Sequence, residues 1–211
     1  MGPTPAETEP VGAGPVRSGP VEPGQVATIV THLEMHDRPK AAPLSSSPLR
    51  LSRWKAPTPE KYRLLFRRVG EPWLWFSRLA MNDIDLELLL FDRRTEIFAV
   101  IDPQGIEVGL LELDFRIAGE CRIAFFGLIP QLTGQGLGRW LMAQALMLGW
   151  RKGIDRVTVQ TCTLDHPRAL AFYIKSGFHP VRQMVEIFPD PRITGLLSVD
   201  AAPHIPIIPA P

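Results

Sequence analysis

Three glycines alternate in GLIPQLTGQGLGRWLM, the stretch from Gly127 to Met142, at positions 134, 136 and 138, just ahead of a run of helix-forming residues. A chain that leaves a strand through such a turn and restarts as a helix presents backbone amides that the helix's own hydrogen bonds do not use. Glycine lets that backbone approach an oxyanion without Cβ collisions, and the helix dipole adds favourable potential at the N-terminus. The chemistry on offer is binding of a phosphate or pyrophosphate. A plain connection from strand to helix would use the same residues, although it needs fewer glycines. A P-loop requires GxxxxGK[ST], and no Lys followed by Ser or Thr stands after these glycines. Dinucleotide binding uses GxGxxG at the opening of a βαβ unit, whereas GQGLG brings its third glycine one place early and follows several strands. NTP hydrolysis and NAD binding are therefore disfavoured.

A second constellation is Cys162 with His166, a thiol four residues before an imidazole, which suggests a nucleophile and its base. Pro167 argues instead that Asp165 or His166 caps a helix entrance and that Cys162 is a small buried residue. Cys121 and Cys162 are too few for a disulfide framework, and no CxxC or Cys/His spacing suggests zinc. The other histidines show no metal-binding spacing either, so no metal is expected.

These residues need elements to hold them. VATIVTHLEM (26–35) and residues 49–54 read as strands. Thr58 caps a helix that Pro59 begins and Gly70 ends, and Asn82 caps another through Leu90. EIFAVID, IEVGLLELDF and CRIAFFGLIP read as three strands, the first two joined by a turn at Asp102 to Gly105. The helix after the glycines carries Leu137, Leu141, Ala145 and Leu148 on one stripe, with Trp140 and Trp150 on other sides, and is expected to end near Gly153. RVTVQTCT is a strand, HPRALAFYIKSGF a short helix stopped by Gly177, and VRQMVEIF a last strand. That order predicts an α/β (α+β) fold, a central sheet covered by helices.

The 211 residues, 45% hydrophobic, suffice for one core with tails left over. The Pro-rich arm 1–25 is too poor in large apolar residues to offset its ordering entropy and is expected to be disordered. The domain is expected over 26–190. In the Pro-rich extension 191–211, Ile205, Ile207 and Ile208 could lay an extended segment against the body. A net charge of +1 leaves no field to draw the protein onto nucleic acid or anionic lipid. No stretch approaches the roughly 20 apolar residues of a membrane span and no signal-peptide core is present, so a cytoplasmic protein is expected.

The glycine turn resembles that of the GNAT family of N-acetyltransferases, in which a strand and a proline precede a pattern close to R/Q-x-x-G-x-G/A at a helix start. Here Pro130 is followed by QLTGQGLGR, with Gly136 and Gly138 at the motif glycines and Thr133 where Arg or Gln is usual. A second signature, N-x-x-A-x-x-x-Y-x-K-x-G-F, resembles residues 166–178, HPRALAFYIKSGF, with His166 replacing Asn. THLEM, EPWLWFSRLAM and QTCTLDHP are also similar to a bacterial GNAT subgroup. The resemblance covers about 49–188 and implies a mixed, largely antiparallel sheet.

It also implies acetyl-CoA as cosubstrate in a V-shaped opening between the strands ending near Pro130 and Thr161. The backbone near Leu128 and Ile129 would pair with the pantetheine amides. Thr133, Gly134, Gln135, Gly136, Leu137, Gly138 and Arg139 would meet the diphosphate, with His166 and Tyr173 also lining the coenzyme. Tyr173 matches the family tyrosine near the coenzyme sulfur, where a phenol can donate a proton to the leaving thiolate. Family members often carry a glutamate about eight residues before the proline, and that place holds Arg122. Strand parity then points to Glu120, or to Glu112 on the preceding strand, as the base. Trp73, Trp75 and Phe76 fall where the family binds its acceptor, and Arg122 could attract an acidic one or pair with a carboxylate. The activity implied is acetyl transfer to a primary amine, of a small molecule or peptide, in a direct ternary complex. Two alternatives are a CoA-binding sensor without turnover and transfer through a Cys162 thioester. A homodimer through the C-terminal strand is compatible with this reading.

Overall fold

The computed structural model describes residues 19–40 and 46–209. The β-branched run near the start forms β1 (Gln25–Met35), and β2 (Arg50–Trp54) follows. The arm expected over 1–25 lies outside the described residues as far as 18, and its last residue already belongs to β1. Helix α1 (Pro59–Gly70) starts where the Thr58 hydroxyl accepts from the Lys61 amide at 3.3 Å. Helix α2 (Asp83–Phe91) starts where Asn82 Oδ1 accepts from the Asp85 amide at 2.8 Å. Then come β3 (Thr95–Ile101), β4 (Glu107–Asp114), β5 (Gly119–Leu128), α3 (Leu137–Gly149), β6 (Ile154–Cys162), α4 (Ala169–Lys175) and β7 (His179–Pro189). Helix α3 stops at Gly149 rather than near Gly153, because Trp150 turns extended and buries its ring in the core. Gly153, at φ +85°, makes the tight turn into β6 instead.

All seven strands join one sheet in the order β2-β3-β4-β5-β6-β1-β7. Neighbours run antiparallel except β5 and β6, which are parallel and bridged by the crossover through α3. The mixed, largely antiparallel sheet is the one the resemblance implied. Its placement of the first strand between the last two, β6 and β7, was not legible from the element order.

The inner strands send alternate side chains into two cores. On one face α3 and α4 pack Leu141, Ala145 and Tyr173 against Leu111, Leu113, Ile123, Val157 and Val159. On the other, α1 and α2 pack Tyr62, Phe66 and Leu86 against Ile97, Ala99 and Leu110. That second core also takes Leu197, Ala201 and Ala202 from the C-terminal segment. The segment runs through turns and bends as far as Ile205, and residues 206–209 follow without regular structure. Ile205 reaches the core's border, while Ile208 stays exposed and its carbonyl accepts from the Gly24 amide at 2.7 Å.

Candidate active site

Pairing of β5 with β6 runs from Gly119↔Ile154 to Ile123↔Val159 and then stops. Beyond it β5 stays with β4, past an irregularity at Glu112/Leu113, while β6 stays with β1. Each strand follows its other neighbour, and sheet twist carries the two apart. The gap opens into a cavity of about 900 Å³.

Gly134, Gly136 and Gly138 stand at its mouth with Thr133 and Arg139. Gly134 and Gly136 take φ of +82° and +78°, left-handed values that strain any residue with a Cβ. The flanking amides are spent, Thr133 on the Pro130 carbonyl and Arg139 on the Gly136 carbonyl. Among the described residues, the amides of Gly134, Gln135, Gly136, Leu137 and Gly138 have no acceptor, and no side chain caps α3. A Cβ built on Gly134 would meet nothing within 4 Å, so there is room beside these donors. Unspent amides, a helix N-terminus and open space make an anion cradle. The side chains of Gln135 and Leu137 do not line the cavity.

Leu128 lines the cavity, but Ile129 does not, and its amide donates to the Val108 carbonyl at 2.9 Å. That donor is spent on the sheet and is not the free backbone group the sequence suggested. His166 lines the cavity, with its Nδ1 accepting from the Arg168 amide at 3.1 Å and its ring edge-on to Trp73. Tyr173 is buried and lines the cavity on the α3 side. Burial, then the charge of Asp165, push its phenol well above the usual range, so it stays protonated.

Trp73, Trp75 and Phe76 line the opposite side, and so does Arg122. Trp75 lies against Phe125, with ring centroids 5.1 Å apart, and its indole N–H donates to Asp165 Oδ1 at 3.3 Å. The close seat depends on Gly127, where a Cβ would meet the Trp75 ring at 3.1 Å and Val69 at 2.8 Å. Phe76 packs on Phe188 at 4.8 Å. These aromatics are cavity wall and packing at once.

The two carboxylates expected to act as base are elsewhere. Glu112 is fully buried beneath α1, accepting from the Tyr62 hydroxyl and from Arg78 at 2.6 Å. Glu120 is tied to Arg156 at 2.8 Å and to the Thr158 hydroxyl at 2.9 Å. Neither lines the cavity, because parity assigns a face but not what fills it. Asp165, expected only as a candidate helix cap, and Glu186, which no sequence signal singled out, do line it. Asp165 accepts from Trp75, from the Thr161 hydroxyl at 2.7 Å and from the Cys162 amide at 3.0 Å, which fixes the turn after β6. Its only local signal is its place before His-Pro. Glu186 is exposed on β7, where it pairs with Thr28 of β1, and could be found only by knowing the sheet order. Burial, then Asp165, raise the Cys162 thiol, and no hydrogen bond joins it to His166 among the described residues. Among those residues no group of three or more His, Cys, Asp or Glu could hold a metal ion, and no helix is long and apolar enough to cross a membrane.

The Acetyltransferase (GNAT) family pattern matches residues 61–178, more than half of the chain. A GCN5-related N-acetyltransferase from Sphaerobacter thermophilus is 19% identical with a TM-score of 0.53, over 77% of this chain and 51% of that one. Another from Kribbella flavida is 14% identical with a TM-score of 0.53, over 82% and 63%. A tandem GNAT protein from the clavulanic acid biosynthesis pathway is 16% identical with a TM-score of 0.51, over 76% and 53%. The chain thus spans between 51% and 63% of the length of these structures, whose likeness speaks to the fold. No curated protein matches the chain. What the unspent amides suggest at the scale of one loop, the match over 61–178 states for the domain: the chain belongs to the GNAT acetyltransferase family.

Proposed function

We propose that the protein moves an acetyl group from acetyl-CoA to a primary amine by direct attack within a ternary complex. The observation that carries this is the set of amides at 134–138 with no acceptor of their own, set at the mouth of the gap between β5 and β6. The cradle fits the coenzyme's diphosphate, with Thr133 and Arg139 beside it. Bound there, acetyl-CoA would supply an activated acyl group as its thioester.

The chain's own residues then divide the work. The phenol of Tyr173, kept neutral by burial and by Asp165, is a proton donor for a thiolate leaving on the α3 side. Trp73, Trp75 and Phe76 form the wall past which an amine enters from the other side. Glu186, with no ion-pair partner among the described residues, replaces Glu112 and Glu120 as the carboxylate available to the amine's proton. A Cys162 thioester is disfavoured, since the raised thiol holds its proton and His166 is occupied by Arg168. Calorimetry with acetyl-CoA, beside CoA-thiol release over a panel of amines, tests the proposal. Binding with release is expected; binding without release on any amine would favour a sensor, and no binding would overturn the assignment.

A further inference from the structure

Where β5 and β6 part, on the face away from α3, four polar side chains cross four adjacent strands. They are Arg122 on β5, Gln160 on β6, His32 on β1 and Arg182 on β7. His32 is the cross-strand partner of both Gln160 and Arg182. The hydrogen-bond directions along the row are forced. Arg122 can only donate, so Gln160 Oε1 accepts from it at 2.7 Å. The Gln160 amide nitrogen then faces His32 Nδ1 at 2.7 Å and can only donate, which makes Nδ1 the acceptor and leaves the imidazole proton on Nε2. That Nε2 is buried and has no partner. Burial, then Arg182 and Arg122, lower the His32 pKa, which agrees with a neutral ring.

The row therefore ends in donors only: two exposed guanidiniums without an ion-pair partner among the described residues, flanking an orphaned imidazole N–H. Arg78, Arg151, Arg156 and Arg192, by contrast, each pair with a carboxylate. The carboxylates on this face are engaged elsewhere or too far away: Asp114, the cross-strand partner of Arg122, is held by Arg116, Glu34 by His36 and Glu120 by Arg156, and Glu186 lies four residues along β7 from Arg182. An arrangement of donors without acceptors is complementary to an oxyanion.

We infer that the acceptor of this enzyme is an amine that also carries an oxyanion, a carboxylate or phosphate, held by the guanidiniums of Arg122 and Arg182 over the buried His32 N–H while its amine reaches the gap. Arg122 stands one residue before the last β5–β6 pair and Gln160 one residue beyond it, and both line the cavity, so the acceptor's two groups lie a few bonds apart. The inference rests on the acetyltransferase reading and adds the acceptor's charge to it.

The test titrates matched pairs into the protein by calorimetry, with and without CoA, so its result does not depend on turnover. One arm compares α-amino acids with their carboxamides, the other O-phosphoethanolamine with ethanolamine. Tighter binding of the anionic member by about tenfold or more in either arm is expected, and the arm that shows it names the oxyanion. In an Arg122→Gln, Arg182→Gln double variant that ratio should fall toward one, and Arg122→Lys with Arg182→Lys should restore part of it. Equal binding within both pairs, or a preference that survives the double Gln variant, would overturn the inference. Failure of acetyl-CoA itself to bind would strike the function proposed above, while the anionic preference would still be read on the protein alone.

Discussion

At the scale of single residues, the glycine cradle makes a sharp prediction because two of its members hold left-handed backbone. In Gly136→Ala a Cβ at φ +78° costs about 1 to 2 kcal/mol in the cradled conformation, and relaxation would swing the amides off their target. Acetyl-CoA affinity should fall roughly five- to thirty-fold by calorimetry, with little change in melting temperature. A loss of stability with unchanged affinity would mean the loop is a connector only. Tyr173 and Cys162 separate direct transfer from a covalent carrier. Tyr173→Phe keeps the ring that packs near Phe126 and removes only the hydroxyl, so kcat should drop about 100-fold or more while acetyl-CoA still binds. Because the raised phenol stays protonated, no alkaline limb from Tyr173 is expected in kcat below pH 10. Cys162→Ala should leave turnover nearly intact; its abolition with binding preserved would restore the thioester route.

At the scale of elements, the clamp between α1 and β4 decides how firmly the aromatic cavity wall at Phe125 is held. Glu112 receives Tyr62 from α1 and Arg78 from the loop before α2, and Arg78 in turn lies 5.0 Å over the Phe125 ring that lines the cavity. Glu112→Ala would leave the largely buried Arg78 charge unpaired, a loss of about 3 to 5 kcal/mol. A drop in melting temperature of about 6 to 20 °C should accompany it, together with a raised KM for the amine. An unchanged melting temperature would refute the clamp. This clamp also marks where sequence reading stops. The caps at Thr58 and Asn82 and the glycine spacing are local signals and could be read directly. Parity placed Glu112 and Glu120 on faces of their strands, but whether a face holds solvent, ligand or a helix is decided by residues far along the chain. The bond between Thr28 and Thr163 spans 135 positions, and no local pattern announces it. For the same reason the insertion of β1 between β6 and β7, which brings Glu186 to the cavity and sets His32 between Gln160 and Arg182, emerged only with the sheet.

At the scale of the whole molecule, the two ends of the described chain close the fold together. β1 and β7 lie outside the matched span 61–178 and form one flank of the sheet. The C-terminal turns seal the adjoining core with Leu197, Ala201 and Ala202. One ion pair pins those turns: Arg192 donates to both Asp190 oxygens, at 2.7 Å to the nearer, and to the carbonyls of Ala201, Ala202 and Ile205. Both side chains are 1% exposed. Burial alone would raise the Asp190 pKa, yet the Arg192 hydrogen bonds and charge outweigh it and hold the carboxyl below its ordinary range. A carboxylate whose folded pKa is depressed contributes stability fully above its unfolded pKa, near 4, and loses it as pH falls through the lower folded value. The wild-type protein should therefore lose stability as pH drops below about 4, and Asp190→Asn should lower stability at pH 7 while flattening that acid slope. Arg192→Ala, which strands Asp190 in the core, should cost about 3 to 5 kcal/mol and make the chain after Pro189 the first site of limited proteolysis. A variant as stable and as protease-resistant as the wild type at pH 7 would mean that the turns are held by Leu197, Ala201 and Ala202 alone.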